Sequence, residues 1–430
     1  MNDSAAPTAV QDLLARDARH CWHPYTQHGI VEQVLPVVRA QGATLTLADG
    51  RELVDGISSW WATLHGHGHP RLVEAIARQA AELDHVLFAG ATHEPAVRLA
   101  ELLVERAPGD LNRVFYSDDG STAVEVALKM ALQAWVQRGQ PERRVFVALE
   151  GAYHGDTFGA MAVGDPDPFF RAYESLLFEV RRVPARGEAA AAALEELGGR
   201  AAGLIVEPLV QGAAGMWMHS EEELRGMRAA CDAAGVPFIA DEVMTGFGRT
   251  GRLFACERAG VAPDMLCLGK GITAGMLPLA ATLATEPWYE SFLSTDRSHA
   301  FFHGHTFTAN PTVCALAVES IAVGEDERTP ERLDAVGARI EAGLAERAAS
   351  DPTIRELRRT GGIVALELEA GDAGYLASLG PRLRKATWDR GALLRPLGNV
   401  LYALPPACTT EEQADTIVSA MLGALDELND

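Results

Sequence analysis

The sequence predicts an α/β protein, with a large domain around a mostly parallel sheet and a smaller α+β domain. Short apolar runs alternate with helical patterns from about residue 58 to residue 323, which is typical of parallel strands with helices on both faces. After residue 325 the pattern changes to helix, strand and two further helices. We expect 59–324 to form the large domain and 325–430 the small one, which the N-terminal segment 1–58 joins.

Local patterns predict the individual elements. Residues 11–20 indicate a short helix, and TLTLADGREL indicates two strands joined by an Asp49-Gly50 turn. The strands of the large domain are predicted at the apolar runs RVFYS, RVFVAL, GLIVEP, VPFIAD and DMLCLG. Helices are predicted at 122–137, 221–234, 332–349, 381–390 and 409–428, with a further strand at IVALELE.

Composition narrows the function classes. The 430 residues carry a net charge of −22, which argues against nucleic acid or an anionic membrane as a partner. The six cysteines are scattered without CxxC spacing, as in a reduced cytoplasmic protein. The first residues, MNDSAAPTAV, lack a basic region followed by an apolar one, so we expect no signal peptide. We expect small-molecule partners and a cytoplasmic location.

Lys270 is the most informative single residue. The chain has three lysines, Lys129, Lys270 and Lys385, and the remaining 34 of its 37 basic residues are arginines. A buried lysine can lose its proton, whereas arginine stays charged. Lys270 follows the apolar run of PDMLCLGKGITAG, so the pattern indicates chemistry that needs a neutral amine. The alternative is an ordinary lysine beside an apolar strand.

The segment SDDGSTAVEVALKM follows a predicted strand and opens a helix at Gly120-Ser121-Thr122. Thr122 and Glu125 have capping-box spacing. Free N–H groups and the helix dipole at this end suit a phosphate, although a plain helix cap explains the pattern as well. In VPFIADEV, Asp241 and Glu242 end a buried strand, where open α/β sheets place ligands. A protonated ring nitrogen would satisfy such a carboxylate, and a salt bridge or loop cap is the alternative.

Three further patterns suggest a small-molecule pocket. Tyr153 lies in the Gly-rich turn GAYHGDTF and could stack on a flat ring or pack in the loop. Trp60 and Trp61 are adjacent and point in different directions, so one can be core and the other a pocket wall. Arg395, between an apolar run and a proline, could bind a carboxylate through two hydrogen bonds or pair with a structural acid.

Two motifs have weaker explanations. TGFGRTG matches GxGxxG, but four residues separate it from the strand. Lys270-Gly271-Ile272 lies in the region where the acid should follow, so a nicotinamide site is a minor alternative. LHGHGHP places His65, His67 and His69 at alternate positions. No HExxH or cysteine pair supports a metal site, so we expect a loop beside a pocket and no bound metal.

Together these pieces meet the needs of pyridoxal phosphate (PLP), which are a phosphate site, a stacking aromatic, a carboxylate for the ring nitrogen and a lysine for a Schiff base. FIADEVMTGFGRTG followed by APDMLCLGKGITAG resembles the signature of the class III aminotransferases of PLP fold type I. The resemblance covers most of the chain, through WHPYT, SSWWATLHGHGHP, GAYHGDTF, VEPLVQGA, HGHTFTANP and LLRPLGNVLYALPP.

The resemblance implies a role for each matching residue. Lys270 is then the Schiff-base lysine, Asp241 the partner of the pyridine nitrogen and Tyr25 a further catalytic residue. The implied cofactor-binding residues also include Gly120, Ser121, Tyr153, His305 and Thr306, of which the last two come from the neighbouring subunit of a homodimer. The implied substrate pocket consists of Tyr25, Trp60, Tyr153, Lys270, Gly304 and Arg395.

Within the family the chain most resembles the members of biotin synthesis. The implied reaction transfers an amino group from S-adenosylmethionine to 8-amino-7-oxononanoate and gives 7,8-diaminononanoate. Three positions depart from the family pattern, since Asp119 replaces a serine, His305 a proline and Ala407 a tyrosine. The alternatives are lysine as donor, another class III ω-transaminase, and a non-catalytic protein of the same fold.

Overall fold

The computed structural model describes residues 5–30, 33–166, 168–369, 376 and 379–429. The helices, α1 to α14 in chain order, are Ala5–His20, Ser58–Trp61, Pro70–Glu82, Glu94–Arg106, Gly120–Gln137, Phe158–Val163, Gly187–Leu197, Glu221–Ala234, Ala255–Ala259, Glu286–Glu290, Pro311–Asp326, Thr329–Ser350, Leu379–Asp389 and Glu411–Asn429. The strands, β1 to β16, are Val37–Gln41, Thr44–Leu47, Glu52–Asp55, Leu111–Ser117, Val145–Leu149, Val180–Val183, Ala201–Val206, Val210–Gln211, Trp217–Met218, Phe238–Asp241, Met265–Leu268, Ala280–Thr285, Ile354–Thr360, Ile363–Leu368, Ala392–Leu393 and Val400–Ala403. Among the described helices, none is both long and apolar enough to cross a membrane.

A seven-stranded sheet forms the centre of the molecule. Its strand order is β4-β12-β11-β10-β7-β5-β6. Strand β12 runs antiparallel to both of its neighbours, and the other neighbouring strands pair in parallel. The five apolar runs expected to be strands are β4, β5, β7, β10 and β11. The α/β class with a mostly parallel sheet is therefore confirmed.

The N-terminal and C-terminal parts of the chain share a sheet. Strands β1, β2 and β3 form an antiparallel meander, and β3 pairs in parallel with β15, with Val54 opposite Ala392. A separate antiparallel sheet contains β13, β14 and β16. The predicted domain limits at residues 58 and 324 stay a prediction, to which the pairing of β3 with β15 lends support.

The parallel strands bring distant parts of the sequence to one edge of the central sheet. Strands β4, β5, β7, β10 and β11 all end there, because parallel strands share a direction. Asp241 is the last residue of β10 and lies opposite Cys267 of β11. Lys270 follows the end of β11 by two residues, so the chain delivers its carboxylate and its amine to the same edge.

Candidate functional site

A cavity of about 390 Å³ opens at this edge. Its lining includes five of the residues predicted from sequence, namely Gly120, Ser121, Tyr153, Asp241 and Lys270. The lining also includes Asp118, Asp119, Trp61, His154 and Glu207. The predicted site residues that do not line it are Tyr25, Trp60, Gly304, His305, Thr306 and Arg395. The cavity thus collects the residues predicted for a cofactor except His305 and Thr306, and it leaves out four of the six predicted for the substrate.

Lys270 lies in an unusual backbone conformation within this cavity. It opens the 3₁₀ turn Lys270–Thr273 with a φ of +41°, a region that non-glycine residues rarely occupy. Its Nζ lies 5.3 Å from the centre of the Trp61 ring. Burial lowers the pKa of Lys270, and the negative charges of Asp241 and Glu207 oppose that shift only in part. The amine is therefore easier to deprotonate than an exposed lysine.

Asp241 is held by a buried histidine. Its Oδ2 lies 2.6 Å from Nδ1 of His154, and its Oδ1 accepts the N–H of Val243 at 3.1 Å. Burial on its own would lower the pKa of His154, but the hydrogen bond and charge of Asp241 and the charge of Glu207 raise it. Two fixed donors therefore orient the Asp241 carboxylate toward the cavity.

Glu207 is the second carboxylate in the cavity wall. Its side chain accepts the N–H groups of Tyr153 and Gly212 at 3.0 and 2.9 Å. Burial raises its pKa to about 7. Sequence analysis missed Glu207 and His154 as site residues. Each directly follows a recognised feature, since His154 comes after Tyr153 and Glu207 comes after the last residue of β7.

The other acid after β10, Glu242, has a different role. Its carboxylate is fully buried and accepts the N–H groups of Ala255 and Cys256 at 2.6 and 2.9 Å. Burial raises its pKa to about 7. Glu242 therefore binds the first N–H groups of α9 and has a structural role, whereas Asp241 lines the cavity.

The capping box of α5 begins at Asp119, three residues before the predicted position at Thr122. Asp119 is the N-cap, and its side chain accepts the N–H of Thr122 at 3.0 Å while Thr122 Oγ1 accepts the N–H of Asp119. The predicted box of Thr122 and Glu125 was wrong, because Glu125 instead accepts the N–H groups of Gly159 and Ala160. The Asp119 departure thus keeps the helix cap but adds a negative charge to the cavity.

The predicted glycine packs closely against the loop after β10, and the predicted serine has a hydroxyl group at the cavity. A Cβ on Gly120 would lie 2.5 Å from Cγ1 of Val243. Ser121 Oγ accepts the N–H of Asp156 at 3.1 Å, so its hydroxyl hydrogen is available to a ligand. These groups and the α5 dipole make the segment suitable for an anion.

Aromatic side chains form a second group beside the cavity. The hydroxyls of Tyr25 and Tyr153 lie 3.0 Å apart, and both donate to the carboxylate of Asp156. Trp60 meets the Tyr25 ring edge-on at 5.6 Å, and the guanidinium of Arg395 lies 4.8 Å from the centre of the Trp60 ring. These contacts connect the cavity to the residues predicted for a substrate.

The two tryptophans differ in exposure, and the buried one, Trp61, lines the cavity. Trp60 is 38% exposed and Trp61 only 6%. Trp61 donates from Nε1 to the hydroxyl of Tyr402 at 2.9 Å. The Tyr153 ring stacks on Phe170 at 6.1 Å between ring centres, and its stacking on a cofactor ring stays a prediction.

The segment 304–306 does not line the cavity, but His305 contacts Asp118 in the cavity wall. Gly304 and Thr306 are exposed, and Nδ1 of His305 lies 3.0 Å from the carboxylate of Asp118. Ala407, the third departure from the family pattern, is buried and donates its N–H to the carbonyl of Leu64. Its side chain does not line the cavity around Lys270.

The two weaker motifs have structural roles. In TGFGRTG, Arg249 is fully buried and donates to the carbonyls of Trp61, Thr63 and Pro405, and a loop follows the strand where a dinucleotide site needs a helix. The histidines of LHGHGHP contact three different partners, the Ser320 carbonyl, Asp55 and Glu327. Within the described ranges, no group of three or more His, Cys, Asp or Glu side chains is arranged to hold a metal ion.

Comparison with known proteins gives a consistent result. The family model described as aminotransferase class-III matches residues 25–425. The chain is 51% identical to the adenosylmethionine-8-amino-7-oxononanoate aminotransferase of Synechococcus elongatus, over 95% of this chain and 99% of that protein.

Solved structures agree. The enzyme with the same name from Methanocaldococcus jannaschii has a TM-score of 0.92 at 35% identity, covering 97% of this chain and 99% of that one. A PLP-bound amine transaminase from an uncultivated Pseudomonas species has a TM-score of 0.88 at 32% identity, covering 95% and 98%.

Proposed function

Because the chain belongs to the class III aminotransferase family, we propose that it is a PLP-dependent transaminase of biotin synthesis. It takes the amino group of S-adenosylmethionine, which leaves as the 2-oxo acid, and passes it to the ketone of 8-amino-7-oxononanoate to give 7,8-diaminononanoate. The observation that carries the chemistry is the meeting of Lys270 with Asp241 in one cavity at the ends of β10 and β11. The names of the relatives support the choice of substrates.

The cavity residues fit PLP. Gly120 and Ser121 begin an 18-residue helix at the cavity wall, and Ser121 has a hydroxyl hydrogen to donate to a phosphate. Asp241 offers a carboxylate to a protonated ring nitrogen. When bound, the cofactor supplies an aldehyde that an amine can capture and a ring that withdraws electrons from the substrate.

Lys270 and Asp241 have complementary roles. Burial favours the neutral amine of Lys270, so Nζ can act as a nucleophile and afterwards move a proton at the substrate carbon. Asp241, oriented by His154, keeps its charge directed at the ring nitrogen. Lys270 is thus the catalytic base and Asp241 the group that keeps the ring an effective electron acceptor.

The substrate is bound beside this centre. The keto substrate is a long apolar chain that ends in a carboxylate, so aromatic walls and a distant arginine suit it. Tyr25, Trp60 and Tyr153 provide the walls, and Arg395 binds the carboxylate. The hydroxyls of Tyr25 and Tyr153 share Asp156, which supports the participation of Tyr25 in holding the reacting amine.

The working enzyme is a homodimer in the cytoplasm. Gly304, His305 and Thr306 contribute to the substrate pocket and the phosphate site of the neighbouring subunit. The surroundings of the segment 304–306 support a subunit interface there, because exposed aromatic side chains flank it. Phe302 is 78% exposed and Phe307 is 57% exposed. Apolar side chains of this size on one segment indicate a protein interface.

A second candidate is an ω-transaminase that acts on another amine. The similarity to a PLP-bound amine transaminase at 32% identity favours it. A variant of the main proposal uses lysine as the amino donor. All three share Lys270 and Asp241, so the donor must be identified by experiment.

The half-reaction separates these candidates. Protein loaded with PLP is mixed with S-adenosylmethionine, lysine or alanine without an acceptor, and the visible absorbance of the bound cofactor is followed. We expect the band to fall with S-adenosylmethionine alone and to return on addition of 8-amino-7-oxononanoate. If the band responds only to lysine or alanine, the proposal that S-adenosylmethionine is the donor is wrong. If none of the amines changes the band, the proposal that the protein is a transaminase is wrong. The Lys270→Ala variant is the control.

A further inference from the structure

The tryptophan pair lies in a left-handed turn. The four residues of α2, Ser58–Trp61, have φ angles of +50°, +47°, +84° and +71°. In this conformation Cβ approaches the following carbonyl oxygen, so only glycine adopts it without cost. None of the four is glycine. Tertiary contacts must therefore hold the turn.

Asp55 provides these contacts on the N–H side of the turn. Its carboxylate is fully buried. Oδ1 accepts the N–H of Ser59 at 2.8 Å, and Oδ2 accepts the Ser59 hydroxyl at 2.7 Å. Nε2 of His67 lies 2.8 Å from the same Oδ2. A carboxylate can only accept here, so His67 carries its proton on Nε2 and donates.

The carbonyl side of the turn is fixed as well. Ser58 donates its hydroxyl to the carbonyl of Leu404 at 2.7 Å. The buried guanidinium of Arg249 donates to the carbonyls of Trp61 and Thr63 at 3.3 and 3.1 Å. The turn is thus fixed at both ends, and Asp55 is the charged group that holds its centre.

The left-handed turn determines where the two rings go. Trp61 points inward, and Nζ of Lys270 lies 5.3 Å from its ring centre. Trp60 points outward, toward the edge of Tyr25 and the guanidinium of Arg395. If Ser58–Trp61 formed a right-handed turn, the two tryptophan rings would point in directions other than those observed. The backbone of α2 therefore decides the position of the pocket wall.

We propose that Asp55, supported by His67, is a positioning residue for substrate recognition, because it holds the left-handed Ser58–Trp61 turn that presents Trp60 to Arg395. The proposal rests on the proposed function for the identity of the substrate. It also explains the histidine motif, since His67 is the outer partner of the buried carboxylate. We expect Asp55 to affect substrate binding more than cofactor binding. Trp61, which lines the cavity around Lys270, is also held by Tyr402 and Arg249, whereas Asp55 binds Ser59, the neighbour of Trp60.

The variant Asp55→Asn keeps the size of the side chain and removes its charge. We expect the KM for 8-amino-7-oxononanoate to rise about 10- to 100-fold, as for loss of hydrogen bonds to a charged group, with PLP affinity within about twofold of wild type. Adding Ser59→Gly should return KM toward the wild-type value, because glycine adopts positive φ freely. Ser59→Gly alone is the matched control and gives the KM with which the double variant is compared, because both proteins lack the Ser59 hydroxyl that binds Asp55. A purely structural role of Asp55 would lower PLP affinity and both substrate affinities together.

Hydrogen–deuterium exchange of the peptide 55–64 tests the turn without turnover. We expect Asp55→Asn to accelerate exchange of the Ser59 amide about tenfold or more. Should Asp55→Asn not fold, His67→Gln removes the outer partner and is expected to change exchange and KM in the same direction by less. Unchanged exchange, faster exchange with an unchanged KM, or no rescue by Ser59→Gly overturns the proposal. If the wild-type protein shows no transamination, the proposed function is contradicted. The hydrogen–deuterium exchange of the peptide 55–64 then still tests whether Asp55 holds the turn.

Discussion

His154 and Asp241 form a buried pair in which Nδ1 of the imidazole lies 2.6 Å from Oδ2 of the carboxylate. Nε2 of the same imidazole is buried and has no hydrogen-bond partner among the described residues. One side of His154 is therefore committed to Asp241, and its role in the molecule is to orient and stabilise that charge. Of this pair, Asp241 was predicted from the sequence as a site residue and His154 was missed.

Replacing His154 tests this connection. We expect His154→Gln to weaken PLP binding about 10-fold or more, because it weakens a hydrogen bond to a charged carboxylate. The measurement is a titration of the apoprotein with PLP, followed by the cofactor absorbance. His65→Gln is the control, since His65 is also buried but contacts Ser320 and Thr329 outside the cavity. Equal losses in both variants would show that His154 acts only in folding.

Asp119→Ser removes the extra negative charge near the proposed phosphate site. Serine keeps the N-cap that Asp119 provides to α5. We expect PLP to bind about 2- to 10-fold more tightly, and the effect to shrink at high salt because charge causes it. The melting temperature of the apoprotein should change little. Unchanged or weaker PLP binding would contradict a charge effect of Asp119 on the cofactor phosphate.

Arg395→Ala tests the proposed carboxylate site. We expect the KM for 8-amino-7-oxononanoate to rise about 10- to 100-fold, with the donor half-reaction changed much less. Arg384→Ala is a matched control, because the Arg384 guanidinium also lies over a tryptophan ring, that of Trp388 at 5.3 Å. A KM that rises equally in both variants, or that changes in neither of them, would contradict carboxylate binding by Arg395.

Glu242 makes the stability of the protein depend on pH. Burial raises the pKa of Glu242 from 4.5 to about 7, so the folded state keeps a proton that the unfolded state loses between these pH values. Stability from this residue therefore falls as pH rises from about 4.5 to 7, by up to about 3 kcal/mol.

The test compares wild type with Glu242→Gln, which does not titrate, by urea unfolding at pH 5 and pH 8. We expect the wild type to lose stability relative to the variant between these two values. A difference in the free energy of unfolding that stays constant with pH would contradict the raised pKa.

The fold was predictable where local patterns determine it. The buried strands β4, β5, β7, β10 and β11 are short apolar runs, which identify them directly. Strand β12, Ala280–Thr285, was missed, because its small residues lie in an apolar stretch without clear limits. The capping box was misplaced because two pairs in this segment, Asp119 with Thr122 and Thr122 with Glu125, have the same three-residue spacing. Only the tertiary contact of Glu125 with Gly159 decides between them.

Sequence analysis found the candidate site residues that come at or just after the end of a strand. It missed those that act through another residue. Asp241 and Lys270 stand out because each follows a buried run. His154 and Glu207 acquire their meaning only from partners far away in the sequence. The left-handed turn at Ser58–Trp61 contains no glycine, so no local signal announces it. The buried Asp55 that holds it is explained by contacts that the fold creates.

The central claim is that Lys270 carries the cofactor. Because the chain has only three lysines, borohydride reduction of the PLP-loaded protein followed by peptide mass spectrometry gives an unambiguous answer. We expect one phosphopyridoxyl group per chain, on the peptide that contains Lys270, and none on those with Lys129 or Lys385. A label on either of those two lysines in place of Lys270, or no label at all, would contradict it.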